Sequence, residues 1–217
     1  YFIVFIYTLM TILLFDNNLR QQLYPFTHTR AVGNIRSGIY TPQERWQIIT
    51  GSQVQLHTSK LLQPLYGIPQ LGASTLWIDA ALILNAALID QIKALQTGQC
   101  IHDTTGLIAG VGESNQIEDY AIKTKLEDQK RIQYASDLVE HNKAQIRFDF
   151  ALATAGKTSA PIPNTCTVSN QEQIFIEENT NLSHCHLNAS TGPIYIASGA
   201  EIQEGSCIRG PFVLLKD

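Results

Sequence analysis

The chain has 217 residues, of which 44% are hydrophobic and 16% charged, so it can bury a sizeable core and hold two domains. Its formal net charge of -4 at pH 7 leaves no basic surface, and we therefore expect no nucleic-acid polymer as a partner. The four cysteines have neither CxxC spacing nor the density of a disulfide scaffold. This usage indicates thiols in a reducing compartment, and hence a cytoplasmic protein.

The first 15 residues are almost entirely apolar. The run is short for a bilayer span, lacks a basic flank and is not followed by a small-residue cleavage site. The single methionine of the chain is Met10. We interpret Met10 as the start of the protein and residues 1–9 as upstream or cloning-derived sequence, without membrane association. A short membrane anchor is the alternative.

A buried strand and a capped helix are the first elements predicted. Residues 11–15 are uniformly apolar and end at Asp16, a pattern typical of a strand in a parallel sheet. After a polar, proline-containing loop, Thr41-Pro42-Gln43-Glu44 forms a capping box with proline at the first helical position. We predict a helix that begins at this proline and ends near Gly51.

Strands and helices alternate through the rest of the first 150 residues. Apolar runs predict strands at residues 53–57 and 74–78, and apolar residues at helical spacing predict a helix at 86–95. Residues 99–102 and 106–111 are predicted as strand or loop, and a polar helix is predicted at 114–129. The alternation favours an open parallel α/β sheet over residues 10–150. Ligands of such sheets bind at the carboxyl ends of the strands, which singles out Asp16 and Asp79. A linker at residues 151–165 is predicted to end this domain.

The last part of the chain carries a six-residue period. Four aliphatic residues stand six positions apart, with small residues four places after the first two: Ile196, Ile202, Ile208 and Leu214, with Ala200 and Ser206. This hexapeptide pattern is typical of a left-handed parallel β-helix, in which each hexapeptide forms one strand and one corner of a triangular prism. Followed backwards to Val168, the six-residue period changes phase twice. Insertions of two residues at solvent-facing corners would explain these changes. A β-sandwich with accidental spacing is the alternative.

The final hexapeptide has no successor. Leu214 opens a rung that the chain does not complete, and a solenoid needs a cap over its last rung. We therefore expect residues 166–217 to be only the start of a β-helix that is truncated at its C-terminus.

Two blocks of sequence carry a family resemblance. The first contains Leu14-Phe15-Asp16, Arg20, Leu23-Tyr24-Pro25-Phe26-Thr27-His28-Thr29-Arg30, Arg36-Ser37-Gly38-Ile39-Tyr40-Thr41 and Glu44-Arg45-Trp46. The second contains Gly192-Pro193-Ile194-Tyr195-Ile196, Ala200-Glu201-Ile202 and Glu204-Gly205-Ser206-Cys207-Ile208-Arg209-Gly210-Pro211-Phe212. Together they resemble bacterial sugar nucleotidyltransferases similar to the bifunctional N-acetylglucosamine-1-phosphate uridylyltransferase/glucosamine-1-phosphate acetyltransferase.

The resemblance implies a Rossmann-like α/β nucleotidyltransferase domain followed by a left-handed β-helix that assembles as a homotrimer. It implies an enzyme that joins a nucleoside triphosphate to a sugar 1-phosphate, releases pyrophosphate and uses Mg²⁺. Acetyl-CoA would be a further cofactor if the complete β-helix is an acyltransferase.

The loop after the first strand is rich in phosphate-binding side chains. A guanidinium group binds phosphate through two parallel hydrogen bonds, and a hydroxyl adds a further donor. The candidate phosphate ligands are Arg20, Thr27, Thr29, Arg30 and Arg36. Of these, Arg30 and Arg20 are the candidate catalytic residues. The alternative is that the arginines are solvated or pair with Asp16 and Glu44.

Two carboxylates are candidates for the metal. Mg²⁺ binds one or two carboxylates together with substrate phosphates. Asp79 and Asp16 each end a predicted strand and are therefore the candidate metal ligands. The alternative is that these aspartates only cap a turn or a helix.

One departure from the family pattern keeps other functions open. The glycine-rich loop with a GTR core, whose backbone amides hold the triphosphate, is replaced after Asp16 by Asn17-Asn18-Leu19-Arg20. Two alternatives therefore stand beside the nucleotidyltransferase: a hexapeptide-repeat acyltransferase with a degenerate N-terminal domain, and a non-catalytic trimeric scaffold.

Overall fold

The computed structural model of the chain describes residues 10–216, which form two compact units. The first unit comprises residues 10–36 and 40–139, and the second comprises 37–39 and 140–216. The interpretation of residues 1–9 as upstream sequence lies outside the described residues. Within residues 10–216, no helix combines the length and apolarity needed to cross a membrane.

A six-stranded mixed sheet forms the centre of the first unit. Its strands, in chain order, are β1 (Thr11–Phe15), β2 (Val54–His57), β3 (Thr75–Asp79), β4 (Gln99–His102), β5 (Leu107–Val111) and β6 (Ile122–Lys125). Their order across the sheet is β2-β1-β3-β5-β4-β6. Strand β1 pairs in parallel with both β2 and β3, and its residues from Ile12 to Phe15 are at most 4% exposed. Burial from both sides explains the uninterrupted apolar run of β1.

The prediction of an all-parallel sheet is wrong at β5. This strand is antiparallel to both β3 and β4. Residues 103–106 join β4 to β5 as a hairpin, and Gly106 adopts a φ of 143° in that turn. So short a connection permits only antiparallel pairing, because a parallel crossover needs a dozen residues or more.

Two helices of the first unit match the sequence pattern: α1 (Pro42–Thr50) and α2 (Ala86–Lys93). At the start of α1, the Thr41 hydroxyl accepts from the Glu44 amide at 3.2 Å, and the Glu44 carboxylate accepts from the Thr41 amide at 2.7 Å. Gly51 ends the helix in the left-handed region, with a φ of 67°. The predicted capping box and helix end are both confirmed.

The polar helix predicted at residues 114–129 is wrong. The segment contains a short 3-10 turn, Ile117–Asp119, followed by β6, which pairs in parallel with β4. Tyr120 is 3% exposed and packs against Gly110 of β5 and Gly112 just after it. A helix without an apolar stripe has little to stabilise it, whereas pairing at the sheet edge satisfies the backbone and buries this one aromatic side chain.

Within residues 10–216, the second unit contains one α-helix, followed by short strands. A short helix, α3 (Ala135–Glu140), ends where this unit begins, and α4 (Asn142–Thr154) follows. Asp149 of α4 is fully buried, and its carboxylate accepts from the Ile39 amide at 2.9 Å. Asp149 is therefore a buried polar group that connects α4 to residues 37–39 of the same unit.

Eight strands of two or three residues complete the second unit: β7 (Thr167–Ser169), β8 (Ile174–Ile176), β9 (Asn181–Leu182), β10 (His186–Asn188), β11 (Ile194–Ile196), β12 (Glu201–Ile202), β13 (Cys207–Arg209) and β14 (Phe212–Leu214). Each strand pairs in parallel with the strand three places along the chain, which gives three small sheets. This arrangement is compatible with a β-helix.

The spacing of paired residues varies between these sheets. Phe212 pairs with Ile194, 18 positions earlier, whereas Cys207 pairs with His186, 21 positions earlier. Extra residues between strands leave the inward aliphatic stack in register, which accounts for the phase slips in the sequence. Three buried side chains of this stack, Ile176, Leu187 and Ile196, are at most 1% exposed.

Candidate functional site

A polar cavity of about 230 Å³ lies at the carboxyl ends of β1 and β3. Strand β2 lies on one side of β1 and strand β3 on the other, so the order in which strands are added to the sheet reverses at β1. Open α/β sheets bind ligands at such a switch point. Asp16, Asn17 and Asp79 line the strand side of the cavity, and Thr105, Asn115 and Gln116 belong to the loops that also line it.

Asn17 and Asp79 form the base of this cavity as one hydrogen-bonded unit. The Asn17 Nδ2 amide donates to both carboxylate oxygens of Asp79, at 3.0 and 2.9 Å. The Asn17 Oδ1 accepts from the Leu19 amide at 2.8 Å, which fixes the rotamer of the asparagine. The Ala81 amide donates to Asp79 Oδ1 at 3.0 Å. The Asp79 carboxylate is therefore held both by the loop that follows β1 and by the residues that follow β3.

A buried arginine connects Asp79 to a second carboxylate. Arg131 Nε lies 2.7 Å from Asp79 Oδ2, and Arg131 Nη1 lies 2.5 Å from Asp103 Oδ2. Asp103 follows β4, whose carboxyl end is at the same edge of the sheet as that of β3, since both strands are antiparallel to β5. The three side chains are each at most 1% exposed. They form a buried ion cluster, Asp79–Arg131–Asp103.

The two carboxyl groups of the cluster differ in their pKa. Burial raises the pKa of Asp79 above its usual value, against the opposing charge of Arg131. Burial also acts to raise the pKa of Asp103, but hydrogen bonds from Arg131 and from backbone amides outweigh it and lower that pKa. Burial is the largest cause at both carboxyl groups, and the two pKa values move in opposite directions because the hydrogen bonds and the Arg131 charge outweigh burial only at Asp103.

Asp16 is held by three donors beside this cluster. Its Oδ1 accepts from the Val32 amide at 2.9 Å, and its Oδ2 accepts from Arg20 Nε at 3.0 Å and from the Thr58 hydroxyl at 2.5 Å. Burial raises the pKa of Asp16, with the Thr58 and Val32 hydrogen bonds and the Arg20 charge acting in the opposite direction. Asp16 thus anchors the loop that follows β1.

A comparison with protein-family models gives one match, to sugar nucleotidyl transferases, over residues 12–158. This match covers more than half of the chain and contains every residue of the cavity described above. The chain belongs to the sugar nucleotidyl transferase family. A search of curated proteins gives no match.

The sequence predicts that the loop arginines bind phosphate. Arg20 instead pairs with Asp16 and donates through Nη2 to the Thr27 carbonyl, and the fully buried Thr27 donates its hydroxyl to the Arg20 carbonyl at 2.8 Å. Arg36 forms an exposed pair with Glu44 at 3.0 Å. These two pairs are the alternative that the sequence left open for Arg20 and Arg36.

Arg30 and Thr29 have a different environment. Both side chains are exposed, and Arg30 forms no hydrogen bond or ion pair with any residue between 10 and 216. All five candidate phosphate ligands lie within the described residues, and none of them lines the cavity at β1 and β3. Arg30 is therefore available to a ligand outside the cavity, whereas Arg20 acts on the loop through Asp16.

The sequence missed Arg131, which organises the base of the site. It lies 52 positions from Asp79 and belongs to no periodic pattern. The available signal was indirect: Asp79 and Asp103 both end apolar strands, and two buried carboxylates at one sheet edge require a cation. The sequence contains several arginines and lysines that could fill this role.

The side chains at Asp79 do not fit a magnesium ion in this arrangement. A carboxylate offers about four acceptor positions, and Asp79 already receives four hydrogen bonds, from Asn17 twice, Ala81 and Arg131. Within residues 10–216, no group of three or more His, Cys, Asp and Glu side chains could hold a metal ion. Mg²⁺ as a cofactor stays a prediction.

Proposed function

We propose that this protein forms a nucleotide sugar from a nucleoside triphosphate and a sugar 1-phosphate, with release of pyrophosphate. The observation that carries the proposal is the polar cavity at the β1/β3 switch point, built inside the segment that matches sugar nucleotidyl transferases. We assign the activity to the cytoplasm, as the cysteine usage indicates.

The reaction is an in-line displacement at the α-phosphorus. An oxygen of the sugar phosphate forms a new bond to that phosphorus, and the bond to the departing pyrophosphate breaks. Such a reaction leaves little covalent work to protein side chains, so positioning and charge neutralisation supply most of the rate enhancement. A rigid base made by Asn17 and Asp79 supports the positioning.

The size of the cavity limits what it encloses. Its volume of about 230 Å³ is below the roughly 300–1,000 Å³ of pockets that enclose drug-sized ligands. We therefore assign one ring of the substrate to the cavity and the phosphates to the loop outside it. The exposed guanidinium of Arg30 is the group that we assign to these phosphates, because Arg20 and Arg36 are engaged with carboxylates.

For the second unit we propose a left-handed β-helix that assembles as a homotrimer. The three small parallel sheets and the buried aliphatic stack support this assignment. The alternative function is acyl transfer from acetyl-CoA by the β-helix, as the resemblance to the bifunctional enzymes implies. Binding of acetyl-CoA without binding of any nucleoside triphosphate would favour this alternative.

The nucleotide assignment is tested by a thermal-shift screen of nucleoside triphosphates, each with and without Mg²⁺. A ligand at 100 times its Kd raises the free energy of unfolding by about 2.7 kcal/mol, which gives a clear shift in Tm. We expect at least one nucleotide to shift the Tm of the wild type. We expect Arg30→Ala to weaken that binding about ten-fold or more, since a hydrogen bond to a charged group contributes about 1.5–3 kcal/mol.

The matched control is Arg36→Ala, which removes another exposed guanidinium from the same loop. Loss of its pair with Glu44 changes stability by less than about 1 kcal/mol. Equal nucleotide affinity in Arg30→Ala and wild type would refute the assignment of Arg30. Absence of any nucleotide-induced shift in the wild type would refute the proposed function.

A further inference from the structure

Hydrogen bonds occupy both carboxylates of the buried ion cluster, of which Asp79 also lines the cavity. Asp103 receives four donors, as Asp79 does: the Thr105 amide at 2.9 Å, the Gly106 amide at 3.2 Å, the Gln129 amide at 3.0 Å and Arg131 Nη1 at 2.5 Å. Each carboxylate therefore uses all of its acceptor positions. A metal ion could bind either of them only by displacing protein donors.

The charge at this position is also already compensated. The Arg131 guanidinium lies between the two carboxylates, and its side chain has no solvent exposure. A guanidinium in this position supplies a positive charge and two oriented donors, and it cannot lose its proton. Breaking such a buried pair leaves an uncompensated charge, so an incoming divalent cation would have to compensate this loss.

We propose that Arg131 replaces a divalent cation as the counter-ion of Asp79, so that Asp79 is not a metal ligand in this protein. Any divalent cation then enters with the substrate phosphates and is held by them. The role of Arg131 is that of a positioning residue: it fixes Asp79, which in turn fixes Asn17 at the base of the cavity. The functional meaning of this arrangement rests on the proposed nucleotidyl transfer, whereas the metal binding itself is measured without substrate.

Titration with Mn²⁺ alone, followed by electron paramagnetic resonance of the free ion, tests the proposal. We expect wild type and Asp79→Asn to bind Mn²⁺ equally weakly. We expect Arg131→Met, which is similar in length and uncharged, to bind Mn²⁺ about 10–100-fold more tightly, because two inward carboxylates then lack a cation. Arg131→Lys retains the charge and is expected to bind Mn²⁺ as weakly as wild type.

Two outcomes overturn the proposal. One is stoichiometric Mn²⁺ binding by the wild type that Asp79→Asn abolishes, since Asp79 would then be a ligand. The other is a folded Arg131→Met variant, verified by circular dichroism, whose Mn²⁺ affinity equals that of wild type. If Arg131→Met does not fold, the comparison of wild type with Asp79→Asn decides the proposal alone.

The nucleotide screen is a separate measurement. A wild type that binds no nucleotide but shows the expected Mn²⁺ pattern refutes nucleotidyl transfer and leaves the assignment of Arg131 in place. The failure of one proposal is thus distinguishable from the failure of the other.

Discussion

Asp103 decides how firmly the base of the cavity is held, because it is the second anion on the buried guanidinium. Asp103→Asn removes that charge. It also places an amide NH₂ group, which is a donor, close to the Gln129 amide and Arg131, which donate to the carboxylate in the wild type. We expect the free energy of unfolding at pH 7 to fall by about 3–5 kcal/mol, as for other broken buried pairs. Urea denaturation of both proteins measures the difference, and Asp90→Asn, at an exposed position of α2, should change stability by less than about 0.5 kcal/mol.

The pH dependence of this difference has a defined sign. Because the pKa of Asp103 is lowered on folding, its contribution to stability is present above its unfolded pKa of about 3.9 and is lost as the pH falls below that value. The difference between wild type and Asp103→Asn should therefore be smaller at pH 3 than at pH 7. An unchanged difference at pH 3 would contradict a charged Asp103 in the folded protein.

For individual residues, the sequence predicts a position in the site where that position depends on neighbouring residues of the chain. Asp16 and Asp79 could be placed at the sheet edge because each ends an apolar run of strand length. Arg131 could not, because its partners are 28 and 52 positions away and its burial depends on the tertiary fold. The pairing of Arg20 with Asp16 was foreseen as an alternative, since the two are four residues apart.

Among the elements, those with local end signals were predicted well. The capping box and Gly51 define α1, and the apolar runs define β1 and β3. The segment 114–129 lacked such signals, and its polar composition was compatible with a helix, a strand at the sheet edge or a loop. Its structure is decided by contacts with β4 and β5, which no local pattern encodes.

The packing of Tyr120 on β5 is therefore the interaction to test by substitution, because it holds the segment 114–125 against the sheet. A Cβ atom added at Gly110 would overlap the Tyr120 ring, whose hydroxyl donates to the Ser114 carbonyl at 2.6 Å. We expect Gly110→Ala to lower the free energy of unfolding by about 1–3 kcal/mol through overpacking. Chemical denaturation measures the change.

Gly72→Ala is the matched control for this substitution. An added Cβ there meets nothing within 4 Å, and the position is exposed. Because alanine restricts the unfolded chain, this substitution is expected to be neutral or stabilising by up to about 1 kcal/mol. Equal stability of the two variants would mean that Tyr120 does not hold residues 114–125 against β5.

The whole molecule combines an α/β unit, which lies within the sugar nucleotidyl transferase match, with a unit whose short parallel strands form three small sheets. The hexapeptide spacing anticipated the inward stack of aliphatic residues, which in the structure are largely buried. The exact offsets between paired strands, from 18 to 21 residues, could not be read from the sequence, because residues at corners are added without disturbing the stack. The mixed character of the first sheet was likewise hidden, since it depends on one short hairpin.

Pyrophosphate release tests the central claim, that sugar-phosphate nucleotidyl transfer occurs at the β1/β3 cavity. Nucleoside triphosphates are combined with a panel of sugar 1-phosphates, and wild type is compared with Asn17→Ala and with Asn181→Ala as an exposed control in the second unit. We predict pyrophosphate release by the wild type with at least one pair, unchanged release by Asn181→Ala, and a loss of roughly 100-fold in Asn17→Ala, as expected for misplaced substrate-positioning groups. Equal rates in wild type and Asn17→Ala, or no release with any pair, would contradict the account.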